Sequence, residues 1–555
     1  MTQLIQQSRS VFRRVATVVV CVCLSALGIS RMSWGQTLLS SITLTGWIVV
    51  TNPAPPSGST NYVYPAGAVF VSTNGTQTAP YTNWPSAFTN WNAVSVNPGG
   101  TVVVGGGTYS LSNSSAYGYI SLVGGTNGAP VTYMMAQDSS HNGAVVINGS
   151  GITPNAFMYA PFCTLNGYNS AMPSNQGLVV SNFLGDSFII GGGTNFTLEY
   201  AAIYNAIHVL GPPVGFQMAF VTHYPPANMT DETSPAADFQ AVIQFDNYST
   251  PTNTDYLSSA FIHDCSLYAY RWETNFGYGD VIVEGSPQNM TLSNCFFGTV
   301  PIYNYSGCKH QEALQLANQG YTRVMDCTFR DLSYCGVFDQ PTGGWSGGNL
   351  QFFNNVFEYT DSNYTNGCCS IPITFDVSGN TGGVVSNVLI ANNTMAGGNN
   401  GITCNGAAAQ WTNCVCVNNL LVNNQGINLN VSGGNSNNWA SLYNKIEGWT
   451  SCTNGGYAGY PYGAETVPGQ FGNAAVLCAA VAMIPANLAG PATANAVTFA
   501  SYSAWSTNNN LAPASNDTGA IGNGTNWPAS IFTADIVGNP RTNFNGRWTL
   551  GAYQY

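Results

Sequence analysis

The chain has very few charged residues. Asp, Glu, Lys and Arg together make up 6% of its 555 residues, against about 25% in ordinary soluble proteins. Four of the eleven cations, Arg9, Arg13, Arg14 and Arg31, lie near the N-terminus. The rest of the chain contains seven cations and 23 carboxylates, which gives a net charge of −16. This balance argues against nucleic acid as a partner, because phosphate binding needs a basic surface.

Long apolar runs are also scarce. The N-terminal arginines precede one run, from Val15 to Ile29, which is followed by small residues around Ser33 and Gly35. This order predicts a secretory signal peptide over residues 1–35. An uncleaved anchor is the alternative, but the run is short for a membrane span. We therefore expect a secreted protein, extracellular, cell-surface or periplasmic, that is not an integral membrane protein after cleavage.

Cysteine spacings typical of zinc sites are lacking. Cys21 and Cys23 belong to the leader, so thirteen cysteines remain, an odd number in a chain bound for an oxidising compartment. At least one free thiol or intermolecular bond is expected. Neither Cys368-Cys369 nor Cys414-x-Cys416 has convincing zinc-ligand spacing.

A repeat is present between residues 258 and 421. An apolar strand, then Asn or Asp, then a small or apolar group recurs with its leading residue at Asp264, Asn294, Asp326, Asn354, Asn392 and Asn418. The intervals are 30, 32, 28, 38 and 26 residues. Such spacing, with a second short strand in each interval and no helical pattern, indicates a solenoid with loops of variable length. Stacked parallel coils about 4.8 Å apart would pair their backbone groups, and Asn tolerates the left-handed turns between strands.

The fold class predicted is all-β: a right-handed parallel β-helix over residues 36–440 with an N-terminal cap, and irregular C-terminal coils with a closing motif over residues 441–555. An array of β-sandwiches is the alternative, but hairpin alternation without an Asn column would be typical of it. A cap is expected because an open solenoid end exposes unpaired backbone.

Both ends of the chain resemble a known superfamily. The segments are Val69–Gly75, Pro80–Trp84, Gly99–Tyr109, Gly124–Gly149, Asp535–Arg541 and Gly551–Tyr555. They are similar to the opening coils and closing motif of secreted bacterial pectate-lyase-like β-helix proteins. The resemblance implies a fold, and a polysaccharide or cell-surface glycan as the partner.

Charges concentrate in segment 255–376. Asp280 and Glu312 each lie fourteen residues before a repeat Asn or Asp, which predicts equivalent places on neighbouring coils. Two adjacent carboxylates could act as general acid and base in glycoside hydrolysis, or hold Ca²⁺ together with Glu284. The alternative is that these charges pair across coils on a solvated face.

Cations stand near this pair. Lys309 and His310 precede Glu312, and Arg330 follows within about one coil. The grouping is similar to β-helix polysaccharide lyases, whose Lys or Arg base works beside Ca²⁺ that neutralises a substrate carboxylate. The resemblance implies catalytic roles for these three residues, although an acidic protein would repel a polyuronate unless its cleft were locally positive or metal-loaded.

Aromatic residues crowd the same segment, and flat rings stack on sugars. Trp272, Tyr278, Tyr305 and Trp345 are the candidate substrate-binding residues; aromatic stacks that cover the solenoid are the alternative. Two functions stay open: a polysaccharide-binding lyase or hydrolase, and a non-catalytic surface or matrix scaffold. Cys265, Cys295 and Cys327 share one column, which predicts a buried thiol ladder or a single disulfide.

Overall fold

The computed structural model describes twenty-nine stretches of the chain. These are residues 64–111, 119–149, 156–158, 161–183, 187–191, 194–210, 214–224, 241–245, 259–269, 281–285, 288–299, 312–317, 320–332, 335–341, 343–360, 371–377, 379–380, 382–398, 401–407, 410–422, 427–432, 439–442, 444–447, 488–489, 497–503, 506, 508–524, 534–541 and 548–554. Helix is confined there to two 3₁₀ turns, Trp91–Ala93 and Pro173–Asn175. No helix within these stretches has the length and apolarity to span a bilayer.

Three stacked parallel sheets, named A, B and C, form the solenoid. Among the described residues most coils contribute one strand to each sheet, so neighbouring strands in a sheet lie one coil apart in sequence. This is the parallel β-helix expected from the repeat. It confirms the predicted all-β class.

Sheet A runs β1 (Val69–Val71), β2 (Thr101–Val104), β5 (Val131–Met135), β8 (Cys163–Asn166), β11 (Phe196–Glu199), β14 (Phe216–Ala219), β17 (Ser259–His263), β20 (Asn289–Ser293), β23 (Tyr321–Met325), β27 (Leu350–Phe353), β30 (Val385–Ala391), β33 (Trp411–Val417), β36 (Trp439–Leu442) and β38 (Leu488–Ala489), with β26 (Gly347–Gly348) also paired to β30.

Sheet B runs β3 (Gly107–Ser110), β6 (Val145–Asn148), β9 (Leu178–Ser181), β12 (Ala201–Ile203), β15 (Thr222–His223), β18 (Ser266–Ala269), β21 (Phe296–Thr299), β24 (Thr328–Arg330), β28 (Val356–Glu358), β31 (Thr394–Ala396), β34 (Leu420–Val422) and β37 (Lys445–Glu447).

Sheet C runs β4 (Ile120–Ser121), β7 (Phe157–Met158), β10 (Phe188–Gly191), β13 (Ile207–Leu210), β16 (Ala241–Phe245), β19 (Val281–Gly285), β22 (Glu312–Leu316), β25 (Cys335–Asp339), β29 (Ile371–Asp376), β32 (Ile402–Ala407) and β35 (Ile427–Ser432). An antiparallel pair, β39 (Phe499–Ser501) and β40 (Asn510–Pro513), lies outside these sheets.

The core fills the inside of the solenoid. Alternate residues of each strand point inward, and like side chains stack from coil to coil. Phe297, Phe329 and Phe357 form one such stack, with ring centroids 4.9 and 4.4 Å apart and nearly parallel planes. Outward-pointing residues at the same strands are therefore the ones available for chemistry.

The turn from sheet A to sheet B explains the Asn and Asp column of the repeat. Asp264, Asn294, Asp326, Asn354, Asn392 and Asn418 all adopt left-handed backbone, with φ between +51° and +57°. Their amides link successive coils, as in the bonds from Asn354 Nδ2 to Asp326 Oδ1 (3.2 Å) and from Asn418 Nδ2 to Asn392 Oδ1 (3.4 Å). The short polar side chains tolerate this conformation and hold neighbouring turns together.

The residues just after this turn form an internal ladder. Asn355, Asn393, Asn419 and Asn444 are fully buried, and each amide of the first three donates to the Oδ1 of the next at 2.8–3.0 Å. Cys265, Cys295 and Cys327 occupy the same place in earlier coils as buried free thiols. The Cys295 thiol lies 3.7 Å from the Ile262 carbonyl, as Asn355 Nδ2 lies 3.0 Å from the Val324 carbonyl. The predicted thiol column therefore continues an amide column.

The C-terminal residues fold back along the side of the solenoid. Leu511 and Ala552 pack against Val356 and Ala396 on the outer face of sheet B, and Leu550 packs against Leu420. The Ala552 amide donates to Thr394 Oγ1 at 2.9 Å. This segment thus covers the later coils laterally.

Candidate functional site

The outer face of sheet A carries polar side chains at the ends of three of its strands, at Asn166, Glu199 and His263. Strand pairing aligns Asn166, Glu199, Ala219 and His263 on consecutive coils. Glu199 and His263 are two coils apart, about 9.6 Å along the backbone at the usual strand spacing. Ala219, between them, has the smallest side chain of the four.

His263 is held by the turn residue that follows it. Its Nδ1 donates to Asp264 Oδ2 at 2.6 Å, and the other Asp264 oxygen accepts from Asn294 Nδ2. The left-handed backbone of Asp264 turns its carboxylate back against the preceding ring. Burial alone would raise the pKa of Asp264, but the hydrogen bonds from His263 and Asn294 and the charge of His263 outweigh it, so this pKa is lowered. Asp264 is therefore ionised and fixes the orientation of His263.

The pKa of Glu199 is shifted in the opposite direction to that of Asp264. Burial raises its pKa, and the charge of His263 opposes this only in part. Asn166 Nδ2 donates to Glu199 Oε2 at 3.0 Å. A carboxyl whose pKa is raised thus lies two coils from a histidine whose neighbouring carboxylate is kept ionised. Such a divergence of pKa values is how proteins assign acid and base roles to similar groups.

Aromatic rings surround this cluster. Tyr200 and Phe220 stack at 4.5 Å with planes 11° apart, and Phe261 lies 4.5 Å from the His263 ring. All three rings are half-buried. They lower the local dielectric and present apolar surface beside the polar groups.

A second histidine–carboxylate pair lies nearer the N-terminus. Asp138 accepts hydrogen bonds from Tyr64 Oη (2.6 Å), Trp84 Nε1 (3.1 Å) and His141 Nδ1 (2.6 Å). The His141 ring stacks on Trp84 at 4.1 Å. Burial opposes ionisation of Asp138, but the hydrogen bonds and the His141 charge prevail and lower its pKa. Since the Ser140 amide also donates to Asp138 Oδ1 at 3.2 Å, both carboxylate oxygens are saturated. This cluster mainly ties residues 64–84 to the segment that follows the third strand of sheet A.

Most residues predicted from the sequence lie outside the described stretches. This applies to Asp280, Lys309, His310, Trp272, Tyr278 and Tyr305. Glu284 is described only as a backbone position in β19, paired with Gln244 and Gln315. Their roles, and the Ca²⁺ site built from Asp280, Glu284 and Glu312, stay predictions. Among the described residues no group of three His, Cys, Asp or Glu is placed to hold a metal ion.

Glu312 begins β22 and is fully buried. Val283 of β19 pairs with Leu314, two residues after Glu312. In the next coil Glu312 pairs with Cys335. Full burial means that a substrate could reach this carboxyl only after a rearrangement.

Arg330 and Trp345 are both described. Arg330 forms an ion pair with Glu358 at 3.0 Å, and its guanidinium lies 5.6 Å from the centre of the Phe296 ring. These contacts lie on the outer face of sheet B, whereas Glu312 begins a strand of sheet C. Trp345 is half-buried and packs against the core. The structure therefore does not bring Arg330 into contact with the Glu312 position.

The carboxylate partners of His263 and His141 were not predicted from the sequence, although the sequence contains one indication of each. His263 directly precedes Asp264 of the repeat, and His141 follows Asp138 by three residues. Glu199 gave no such signal, because the regular spacing begins only at residue 264 and its coil is shorter. The strand pairing is needed to place Glu199 two coils from His263.

No family model matches the chain, and no curated relative matches it. Solved structures similar to it include pectate lyase Pel9A, with 13% identity, 88% of this chain and 96% of that chain covered, and a TM-score of 0.37. A rhamnogalacturonan lyase has 13% identity, 68% and 87% coverage and a TM-score of 0.32. PfbA, a surface adhesin of Streptococcus pneumoniae, has 11% identity, 63% and 84% coverage and a TM-score of 0.29. The assignment of the fold rests on the strand pairing described above.

Proposed function

We propose that the protein is an extracellular polysaccharide-degrading β-helix whose acid and base are Glu199 and His263, with Asp264 as the residue that positions His263. The observation that carries this proposal is that Glu199, a carboxyl of raised pKa, and His263, a histidine bonded to the ionised Asp264, lie on the same outer face of sheet A. Aromatic rings beside them suit a sugar substrate.

The chemistry is hydrolysis of a glycosidic bond. Protonated Glu199 donates its proton to the glycosidic oxygen as the bond from the anomeric carbon to that oxygen breaks. His263 takes a proton from the attacking water, whose oxygen forms the new bond to the anomeric carbon. Asp264 stabilises the imidazolium that results. The acidity of the chain favours a neutral glycan over a polyuronate.

The test is an activity panel on neutral and acidic glycans, with and without Ca²⁺, for wild type, Glu199→Gln and Glu312→Gln. Reducing ends report hydrolysis, and ultraviolet absorbance of an unsaturated product reports a lyase. We expect Glu199→Gln to lower kcat by about 10²–10⁴-fold with KM little changed. In wild type kcat/KM should fall as pH rises through the raised pKa of Glu199, because the acid must be protonated.

Val537→Ala, at an exposed position far along the chain, is the control for handling and folding. Loss of activity in Glu312→Gln with full activity in Glu199→Gln would instead assign the site to sheet C and support the Asp280–Glu312 prediction. Absence of cleavage on every glycan would leave the scaffold function.

A further inference from the structure

The outer face of sheet B carries a row of aromatic rings that the proposed hydrolysis does not use. Strand pairing places Ile203 beside His223, and His223 beside Leu267, so the residues that follow them, Tyr204, Tyr224 and Tyr268, occupy one column on consecutive coils. Their ring centroids are 5.4 and 6.3 Å apart, with planes 29° and 9° apart. We call Tyr204, Tyr224, Tyr268 and Phe296 the tyrosine ladder.

A glycine extends the ladder to a fourth ring. Gly298 pairs with Tyr268 in the next coil and has no side chain to continue the column. The Phe296 ring lies over that gap: a Cβ on Gly298 would come within 2.6 Å of Phe296 Cε1. The Phe296 and Tyr268 centroids are 5.5 Å apart. The row of rings therefore runs unbroken over four coils.

In the coils after Phe296, the column continues with the ion pair of Arg330 and Glu358, and the C-terminal segment begins to cover the face there. Gly298 pairs with Arg330, and Arg330 with Glu358, in the same column. Their ion pair leaves little net charge, and Ala552 and Tyr553 begin to cover the face beside it. Upstream, Tyr224 is 41% exposed, and it and Val537 are the large apolar side chains most exposed among the described residues.

These features favour a neutral polysaccharide as the occupant. Among the described residues, the hydroxyls of Tyr204, Tyr224 and Tyr268 have no hydrogen-bond partner. Each can therefore donate to and accept from a sugar hydroxyl. The stacked rings present edges and hydroxyls at a regular interval along the solenoid axis, which suits a repeating chain. A strip one ring wide is too narrow for a stable protein interface, which buries about 800 Å² on each partner.

We infer that the tyrosine ladder is a second glycan-binding surface, which holds a neutral polysaccharide chain along the solenoid axis. It lies on sheet B, and Glu199 and His263 lie on sheet A. It therefore does not depend on the proposed hydrolysis.

The test is affinity electrophoresis of the full protein through gels that contain β-glucan, xylan, galactomannan or polygalacturonate. We expect retardation by at least one neutral glycan, a loss of at least tenfold in affinity for the double variant Tyr224→Ala/Tyr268→Ala, and a smaller loss for Tyr224→Phe/Tyr268→Phe. Val537→Ala, at an exposed position away from the ladder, should bind as wild type does. Thermal unfolding of each variant checks that the coils are intact.

Three results would overturn the inference: binding unchanged in the folded alanine variant, retardation by polygalacturonate alone, or no retardation by any glycan. A wild-type dimer in sedimentation that the alanine variant abolishes would instead assign the ladder to self-association. Because cleavage is scored with Glu199→Gln and binding with the tyrosine variants, failure of the hydrolysis proposal would not remove the ladder, and the reverse also holds.

Discussion

Asp339 puts a carboxyl inside the solenoid. It is the last residue of β25, in register with the core residues Leu316 and Phe375, and it is fully buried. Neither carboxyl oxygen has a hydrogen-bond partner among the described residues. Burial raises its pKa to about 8. The folded protein thus keeps this group protonated at neutral pH, where an unfolded chain ionises it.

This residue should make stability fall as pH rises. With a folded pKa of about 8 and an unfolded pKa of about 3.9, its contribution is complete below about pH 4 and is lost progressively up to about pH 8. The loss is on the order of 5 kcal/mol at most. We expect Asp339→Asn and Asp339→Leu to flatten the decline in urea midpoint between pH 5 and pH 8. The leucine variant controls for an unpaired buried amide. A decline as steep as that of wild type in both variants would show that Asp339 ionises freely in the fold.

Single residues also mark the limit of prediction from the sequence. The Asp and Asn of the repeat were predictable because turn chemistry restricts each of them on its own. The partner of His263 was not, since it depends on how the turn at Asp264 directs a side chain. The equivalence of Asp280 with Glu312 rests on counting back across a loop, and because Asp280 lies outside the described stretches it stays a prediction. Counting carries errors of one residue wherever loops differ in length.

At the scale of elements, the internal ladder decides which coils are held most firmly. Asn393 lies at its centre: it donates to Asn419 Oδ1 and the Phe352 carbonyl, and its Oδ1 accepts from Asn355. Each amide satisfies two neighbours, so removing one leaves buried partners unpaired. In the same column the thiols of Cys265 and Cys295 reach the carbonyls of the preceding coil at 3.8 and 3.7 Å, so the ties between these earlier coils are weaker.

We expect Asn393→Ala to lower the free energy of unfolding by about 2–5 kcal/mol, because Asn355 and Asn419 lose buried partners. Asn387→Ala is the matched comparison: Asn387 bonds to Asn349 in a half-buried row and has left-handed backbone, so its loss should cost only about 1–2 kcal/mol. Urea denaturation of both variants measures the difference. Equal losses would mean that the internal amide ladder adds no more than the outer one.

For the whole molecule, the sequence predicted the stack of coils but not the path of the C-terminal residues. A recurring spacing reveals coils because every coil repeats the same local chemistry. The closing segment makes its contacts only once: Asn354 Nδ2 donates to the Ala534 carbonyl, 180 residues away, and Asn392 Nδ2 to the Thr549 carbonyl. No periodic pattern encodes such contacts, so only the folded chain reveals them.

Arg541 joins this segment to the solenoid. Its guanidinium is buried and donates to Asn354 Oδ1 (2.6 Å) and to the carbonyls of Gly551 (3.0 Å) and Ala552 (3.1 Å). Burial lowers its pKa to about 9, and the charges of Asp535 and Asp326 oppose that shift, so the group stays cationic at neutral pH. One cationic side chain therefore bonds to the solenoid through Asn354 and to the closing segment through Gly551 and Ala552.

We expect Arg541→Ala to release the segment, because Asn354 Oδ1 and the carbonyls of Gly551 and Ala552 lose their buried cationic donor together. A hydrogen bond to a charged group is worth about 1.5–3 kcal/mol, and the loss of these bonds should appear as a lower Tm and as faster proteolytic cleavage within residues 497–554, located by mass spectrometry. Arg541→Lys keeps the charge but not the planar set of donors, and should recover only part of the loss. Val537→Ala, exposed in the same segment, should be cleaved as wild type is. If Arg541→Ala resisted protease as wild type does, apolar packing of Leu511, Leu550 and Ala552 would suffice to hold the segment.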